Sequence, residues 1–189
     1  MTTVGKLHLI IGPMYAGKST ELIRRINLFN FLGSKIMCIN HIINNRYGSN
    51  NIITHNKNEI KDCVILENLN EIENKDINKI YKLSNVIIIE EVQFFKNSYE
   101  YIKKMVEEDN KIVLAAGLIS DFNREPIGDV LKLITLADTC EYVKALCFRC
   151  KDGTKAPFTK RKTSDKQKEL IGSYGIYEAV CRYHYLHDD

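Results

Sequence analysis

Apolar and polar positions along the chain follow two alternating periods. Residues 6–11 (KLHLII) are a short, nearly continuous apolar run that stops at Gly12 and Pro13, as a buried strand does. From 18 to about 31 the spacing changes. Leu22, Ile26 and Phe29 recur at i, i+4 and i+7 with polar residues between, which predicts a helix, and Gly33 supplies its stop signal. The pattern then predicts a strand at 35–40 (KIMCIN), a loop over the asparagine-rich stretch 42–58, a strand at 63–66 and a polar helix at 69–83. Residues 86–89 (VIII) form a β-branched run, 98–108 is helical in period, and 111–116 (KIVLAA) is again strand-like. Strands apolar on both faces, alternating with helices, belong to a parallel sheet of the α/β class. After about residue 146 the chain turns to Cys, Lys, Gly and Tyr with no helical period, which divides it into units at 1–144 and 145–189. No internal repeat is visible.

Composition narrows the class. With 189 residues, 44% hydrophobic and 27% charged, the chain has enough apolar surface for a core, which excludes a wholly disordered or fibrous protein. No apolar run approaches the roughly 18 residues of a membrane span, and the first residues lead into a strand without a signal-peptide pattern. The expectation is a soluble, cytoplasmic protein (host cytoplasm for a viral source) with no membrane partner. Net charge is +3, unevenly spread: residues 151–168 hold seven Lys/Arg against two Asp, a local +5 that leaves −2 for the remainder. The bulk is therefore no nucleic-acid surface, while the basic run is either a solvated rim or a phosphate contact.

Chemistry enters at Gly12, Pro13, Met14, Tyr15, Ala16, Gly17, Lys18 and Ser19, which fit G-x4-G-K-[ST] between a predicted strand and a predicted helix. Glycines let successive backbone N–H groups face phosphates, and the helix N-terminus adds its positive dipole. Lys18 would sit on the β- and γ-phosphates and the Ser19 hydroxyl on Mg²⁺. The chain is thus expected to bind a nucleoside triphosphate on a P-loop NTPase (RecA-like) parallel sheet with helices on both faces. Glu90 and Glu91 end the 86–89 strand, where a Mg²⁺-holding acid normally lies. Neighbouring strand residues point to opposite sides, so one carboxylate would face Mg²⁺ and the other an acceptor hydroxyl as general base. Of Phe94 and Phe95, either is a core residue or a face for stacking a base.

Six cysteines without an export signal point to metal or buried thiols rather than disulfides. Cys38, Cys63 and Cys140 lie in apolar surroundings and read as core. Cys147 and Cys150, then Cys181 and His184, are two C-x2-[C/H] knuckles whose Cys₃His set suits a closed, structural Zn²⁺ site, with His187 as the alternative fourth ligand. The ion would tie together both ends of the basic segment, in a small C-terminal zinc-binding lasso unit.

Taken together these stretches resemble the type II, zinc-containing thymidine kinases. The matching pieces are GPMYAGKSTEL (12–22), NRYGS (45–49), EEVQFF (90–95), LISDFNREPIG (118–128), CFRC (147–150), APFTKR (156–161), ELIGSYGIYEAVCR (169–182) and the closing CRYH. The resemblance implies transfer of the ATP γ-phosphoryl group to the 5′-hydroxyl of thymidine, with deoxyuridine as a further acceptor. It assigns the loop 12–19 to ATP, with Asn44, Asn45 and Arg46 on the phosphate side and Glu90 and Gln93 flanking nucleotide and metal. Glu91 becomes the general base, with Lys18 as its catalytic companion. Met14, Phe94 and Phe122 lie at the nucleoside. Lys168, Glu169, Leu170, Ile171 and Gly172, with Tyr177, form a lasso over the thymine. The family is usually tetrameric and inhibited by thymidine triphosphate, which implies a homotetramer under dTTP feedback. Three features depart from its pattern, at four positions: Glu90 stands where Asp is usual, Asn44 and Asn45 where an acid is usual, and His184 where Cys is common. A P-loop ATPase whose basic loop binds nucleic acid is the competing reading, disfavoured by the −2 charge outside that loop.

Overall fold

A computed structural model describes residues 4–44, 52–53, 59–60, 62–162 and 176–188. The chain runs through β1 (Lys6–Ile11), α1 (Lys18–Phe31), β2 (Ile36–His41), β3 (Ile52–Ile53), β4 (Glu59–Ile60), β5 (Val64–Leu66), α2 (Lys75–Leu83), β6 (Val86–Ile89) and α3 (Ser98–Lys103). It continues through β7 (Ile112–Gly117), α4 (Val130–Leu136), β8 (Thr139–Tyr142), β9 (Ala145–Leu146), β10 (Lys155–Ala156), β11 (Phe158–Arg161), β12 (Tyr177–Val180) and α5 (Arg182–Leu186). Six strands build one parallel sheet in the order β5-β2-β6-β7-β1-β8.

Side-chain alternation gives the sheet two cores. Leu7, Leu9 and Ile11 of β1, Met37 and Ile39 of β2, Ile87 and Ile89 of β6, and Val113 and Ala115 of β7 face one side. There they meet Tyr81 of α2, Ile102 of α3, and Val130 and Leu133 of α4. Ile10, Val86, Ile88, Leu114 and Ala116 face the other side, under Leu22 and Ile26 of α1. Each aliphatic side chain buried this way contributes roughly 1.5–3 kcal/mol. The one-residue alternation has a direct consequence for the site: the next position after Val86 and Ile88 is Glu90, which falls on the α1 side.

Several elements differ from expectation. The helix expected at 69–83 is broken: a 3₁₀ turn, Leu69–Glu73, stops at Asn74, whose extended ψ of 135° precedes α2. Glu71 caps the start of the 3₁₀ turn, folding its carboxylate back onto the N–H groups of Glu67 and Asn68 at 2.9 and 2.7 Å. Segment 98–108 is helical throughout, but its second half widens to a π turn, Lys104–Glu108, that buries Met105 and Val106 side by side. Within the expected loop 42–58 lies β3, which pairs antiparallel with β4 just beyond it. Cys63 is buried and Cys38 partly so, but Cys140 is exposed, because β8 is an edge strand whose four residues are all exposed. No helix among the described residues is long and apolar enough to cross a membrane.

Candidate active site

Residues 12–17 connect β1 to α1 at the C-terminal end of the sheet, and Lys18 and Ser19 open the helix. Gly12 passes so close to the backbone of Val143 that a Cβ there would lie 2.2 Å from its carbonyl oxygen. The N–H of Met14 donates to Thr159 Oγ1 of β11 at 3.0 Å, and Tyr15 and Ala16 pack on the small core of Ala145, Ala156 and Val180. Lys18 is buried, and its Nζ donates to the Pro13 carbonyl at 2.8 Å. Burial pulls its ammonium below the usual value, opposed by the charges of Glu91 and then Glu90.

Those two acids leave β6 in different directions. Glu90 is 3% exposed; its Oε1 accepts from Ser19 Oγ, and its Oε2 has no hydrogen-bond partner among the described residues. Burial, then the charge of Glu91, pushes the Glu90 carboxyl up to about 8, while the Ser19 bond and Lys18 pull it back. A serine hydroxyl beside a buried carboxylate with an unpartnered oxygen is an all-oxygen donor set that suits a hard cation such as Mg²⁺. Glu91 turns the chain out of the strand with φ 54°, and its Oε2 accepts from Gln93 Nε2 at 2.6 Å. Gln93 is itself buried, with Oε1 accepting the N–H of Leu118 at 3.0 Å.

The aromatic candidates separate. Phe95 is core, 1% exposed, edge-on to His41, while Phe94 is half-buried and tilted against the same ring at 5.6 Å. Phe122 follows β7 in the 118–129 connection; its ring lies 6.4 Å from that of Tyr177 on β12 and carries the Arg161 guanidinium 3.8 Å from its centroid. Arg161 also donates to Tyr177 Oη at 2.5 Å. Arg161 and Thr159 were invisible individually within a basic run; the signal that finds them is their i, i+2 spacing on β11, which turns both to one face. The expectations for Asn45, Arg46, Lys168, Glu169, Leu170, Ile171 and Gly172, and for the Asn44 side chain, lie outside the described residues.

The two knuckles converge. The ligand atoms of Cys147, Cys150, Cys181 and His184 all lie within 4.8 Å of one another. His184 Nδ1 is 3.5, 3.3 and 3.4 Å from the three sulfurs, and the Cys150 and Cys181 sulfurs are 3.8 Å apart. A tetrahedron with Zn–S near 2.3 Å and Zn–N near 2.0–2.1 Å has S···S edges of about 3.8 Å and S···N edges of about 3.5 Å, so the donors stand at the spacing zinc requires. His187 instead pairs with the Tyr183 carbonyl at 3.0 Å and stacks on the Tyr183 ring. Lys160 Nζ holds the end of α5, bonding the carbonyls of His184 and His187 at 2.8 and 2.9 Å and Asp188 at 2.7 Å. Arg149, inside the first knuckle, is paired with buried Glu178 of β12 at 2.6 Å.

A family model described as thymidine kinase matches residues 5–185. A thymidine kinase of Oryza sativa subsp. japonica is 39% identical over 183 residues, covering 96% of this chain and 66% of that protein. Thymidine kinase a of Arabidopsis thaliana is 38% identical, covering 96% of this chain and 75% of its own length. The thymidine kinase of Vaccinia virus (strain Western Reserve) is 36% identical over 188 residues, covering 96% and 97%. The chain thus spans about two thirds of the rice protein and nearly all of the viral one. With the phosphate loop and the paired acids at one sheet and the Cys₃His cluster in the C-terminal segment, the chain belongs to the thymidine kinase family.

Proposed function

We infer that the chain phosphorylates thymidine in nucleoside salvage, moving the γ-phosphoryl group of ATP onto the 5′-hydroxyl to give thymidine monophosphate and ADP. The observation that carries this reading is the division of two consecutive carboxylates beside Lys18: Glu90 to Ser19, Glu91 to Gln93. Phosphoryl transfer needs charge stabilisation on the nucleotide and a base on the acceptor, and these are two different positions. In this reading the residues 12–19 cradle the ATP phosphates and Lys18 leaves the Pro13 carbonyl for the β- and γ-phosphates. Ser19 and Glu90 would hold Mg²⁺, which when bound neutralises charge on the phosphate oxygens. Glu91, its direction fixed by Gln93, takes the proton of the 5′-hydroxyl as that oxygen attacks the γ-phosphorus and the bond to the ADP oxygen breaks. Phe122 and Tyr177 supply an aromatic wall for the nucleoside, with Met14 and Phe94 nearer its rim and Lys168, Glu169, Leu170, Ile171 and Gly172 closing over the base. The same reading assigns Asn44, Asn45 and Arg46 to contacts with the ATP phosphates.

The Cys₃His cluster would hold a structural Zn²⁺ that ties β12 and α5 to the 147–150 turn. We treat 1–144 as the nucleotide-binding unit and 145–189 as the zinc and lasso unit; the separate core of Ala145, Ala156 and Val180 supports that division. The same reading includes a homotetramer, feedback by dTTP, action in the cytoplasm and no nucleic-acid partner. Its test is ADP release with ATP and Mg²⁺ across acceptors. Release that requires thymidine (or deoxyuridine) supports it; release driven by single-stranded DNA or independent of any nucleoside overturns it.

A further inference from the structure

His184 of the metal cluster and Phe122 of the nucleoside wall lie on different elements, and the side chain of Tyr185 reaches from one to the other. His184 sits in α5, which starts directly after Cys181. The next residue, Tyr185, is tied into that turn through its N–H to the Cys181 carbonyl at 2.9 Å. Its hydroxyl leaves the metal cluster altogether and donates to the backbone carbonyl of Phe122 at 2.9 Å, across 63 residues of sequence. The ring is fixed on its way there by Phe158, tilted at 5.3 Å, and by the Arg124 guanidinium 4.6 Å from its centroid.

The receiving loop is closed locally and anchored from outside. Asp121 closes it on itself, its Oδ1 accepting the N–H groups of Asn123 and Glu125 at 2.8 and 2.9 Å and its own N–H donating to the Glu125 carbonyl at 2.8 Å. Those bonds set the shape of the turn but not its tilt relative to β11 and β12. The Tyr185 bond and the contacts of the Phe122 ring with Arg161 and Tyr177 reach outside the turn and set that tilt.

We propose that Tyr185 is a positioning residue that transmits the order of the Cys₃His centre to the Phe122 carbonyl and so sets the angle of the nucleoside wall. The proposal rests on the reading of Phe122 as a nucleoside contact. It places the effect of the metal on thymidine binding in α5 as well as in the lasso.

The test uses the full, zinc-loaded chain and calorimetric binding of thymidine without ATP, with bound zinc and ATP affinity measured in parallel. Tyr185→Phe is expected to weaken thymidine binding about three- to tenfold, the range of one neutral hydrogen bond, with zinc content and ATP affinity unchanged. In a Phe122→Ala background the same substitution is expected to add no further loss, since its effect runs through that residue. Unchanged thymidine affinity in Tyr185→Phe, with a loss in Phe122→Ala, overturns the proposal and leaves the nucleoside wall standing. A fall in zinc content or in ATP affinity alongside overturns it as well, since Tyr185 is then merely structural. Unchanged affinity in Phe122→Ala overturns the reading of Phe122 and the proposal together.

Discussion

Gln93 stands between the N–H of Leu118 and the carboxylate of Glu91, accepting the first through Oε1 at 3.0 Å and donating to the second through Nε2 at 2.6 Å. A backbone N–H can only donate, so it must face the amide oxygen, and the amide nitrogen is left facing Glu91. The direction of the proposed base is therefore set by a main-chain group on β7's C-terminal side. Glu91→Gln removes the proton acceptor without changing shape. Turnover should fall by about 10²–10⁴ while ATP affinity holds, measured by steady-state kinetics and nucleotide titration. Turnover at the wild-type level would remove Glu91 from the mechanism.

Gln93→Leu tests the clamp itself. It strips the donor from Glu91 and leaves the part-buried N–H at Leu118 without its acceptor, so stability should drop by about 1 kcal/mol. Turnover should fall and ATP affinity stay level. A loss confined to ATP affinity would show that Gln93 serves the nucleotide instead.

Gly128 packs against this same residue. It has φ +55°, and a Cβ there would lie 2.4 Å from the Gln93 carbonyl oxygen. Gly128→Ala therefore combines a left-handed backbone with a main-chain clash and should cost about 1–3 kcal/mol, read by denaturant unfolding, with turnover lowered in parallel. A neutral outcome in both would mean the 118–129 connection yields freely.

For the metal centre, His184→Ala should lose bound zinc while His187→Ala keeps it, since only His184 faces the three sulfurs. Cys147→Ser should raise KM for thymidine more than for ATP. Equal rises in both would indicate general unfolding. Zinc per chain and the two KM values decide it.

Acid should act through Glu21. Hydrogen bonding from Arg24 at 2.7 Å, with Arg25 adding at 2.8 Å against the effect of burial, holds its carboxyl down at about 2. The unfolded chain takes up this proton near 4.5, so protonation in between favours unfolding. The contribution is present above 4.5 and lost as pH falls toward 2. Glu21→Gln should be about 1 kcal/mol less stable at neutral pH, and the gap should shrink below 4.5 and close only as pH approaches 2, followed by denaturant unfolding. A gap that stays constant with pH would contradict the ion-pair origin.

What the sequence discloses and what it hides follow from the range of each signal. The strand, loop and helix at 6–31 are legible because apolar spacing and glycine placement are local, and α1 has the predicted bounds, Lys18–Phe31. The Cys₃His set is legible because metal geometry dictates ligand spacing. By contrast α4 and β8 give little sign: α4 is only seven residues long, and β8 buries none of its four, so it lacks a hydrophobic face to read. For the same reason Cys140 looks like a core residue and is an exposed edge one. The Gln93–Leu118 and Tyr185–Phe122 contacts are set by tertiary approach, and no residue spacing announces them. Arg161 is masked by its basic neighbours until β11 gives it a face.

The most direct measurement follows a label. With ATP carrying a marked γ-phosphate, excess enzyme and Mg²⁺, a single turnover should move the mark to thymidine as thymidine monophosphate, and Glu91→Gln should bind both substrates yet transfer it slowly. Mark appearing as free phosphate, at a rate indifferent to thymidine and to Glu91, would contradict the account.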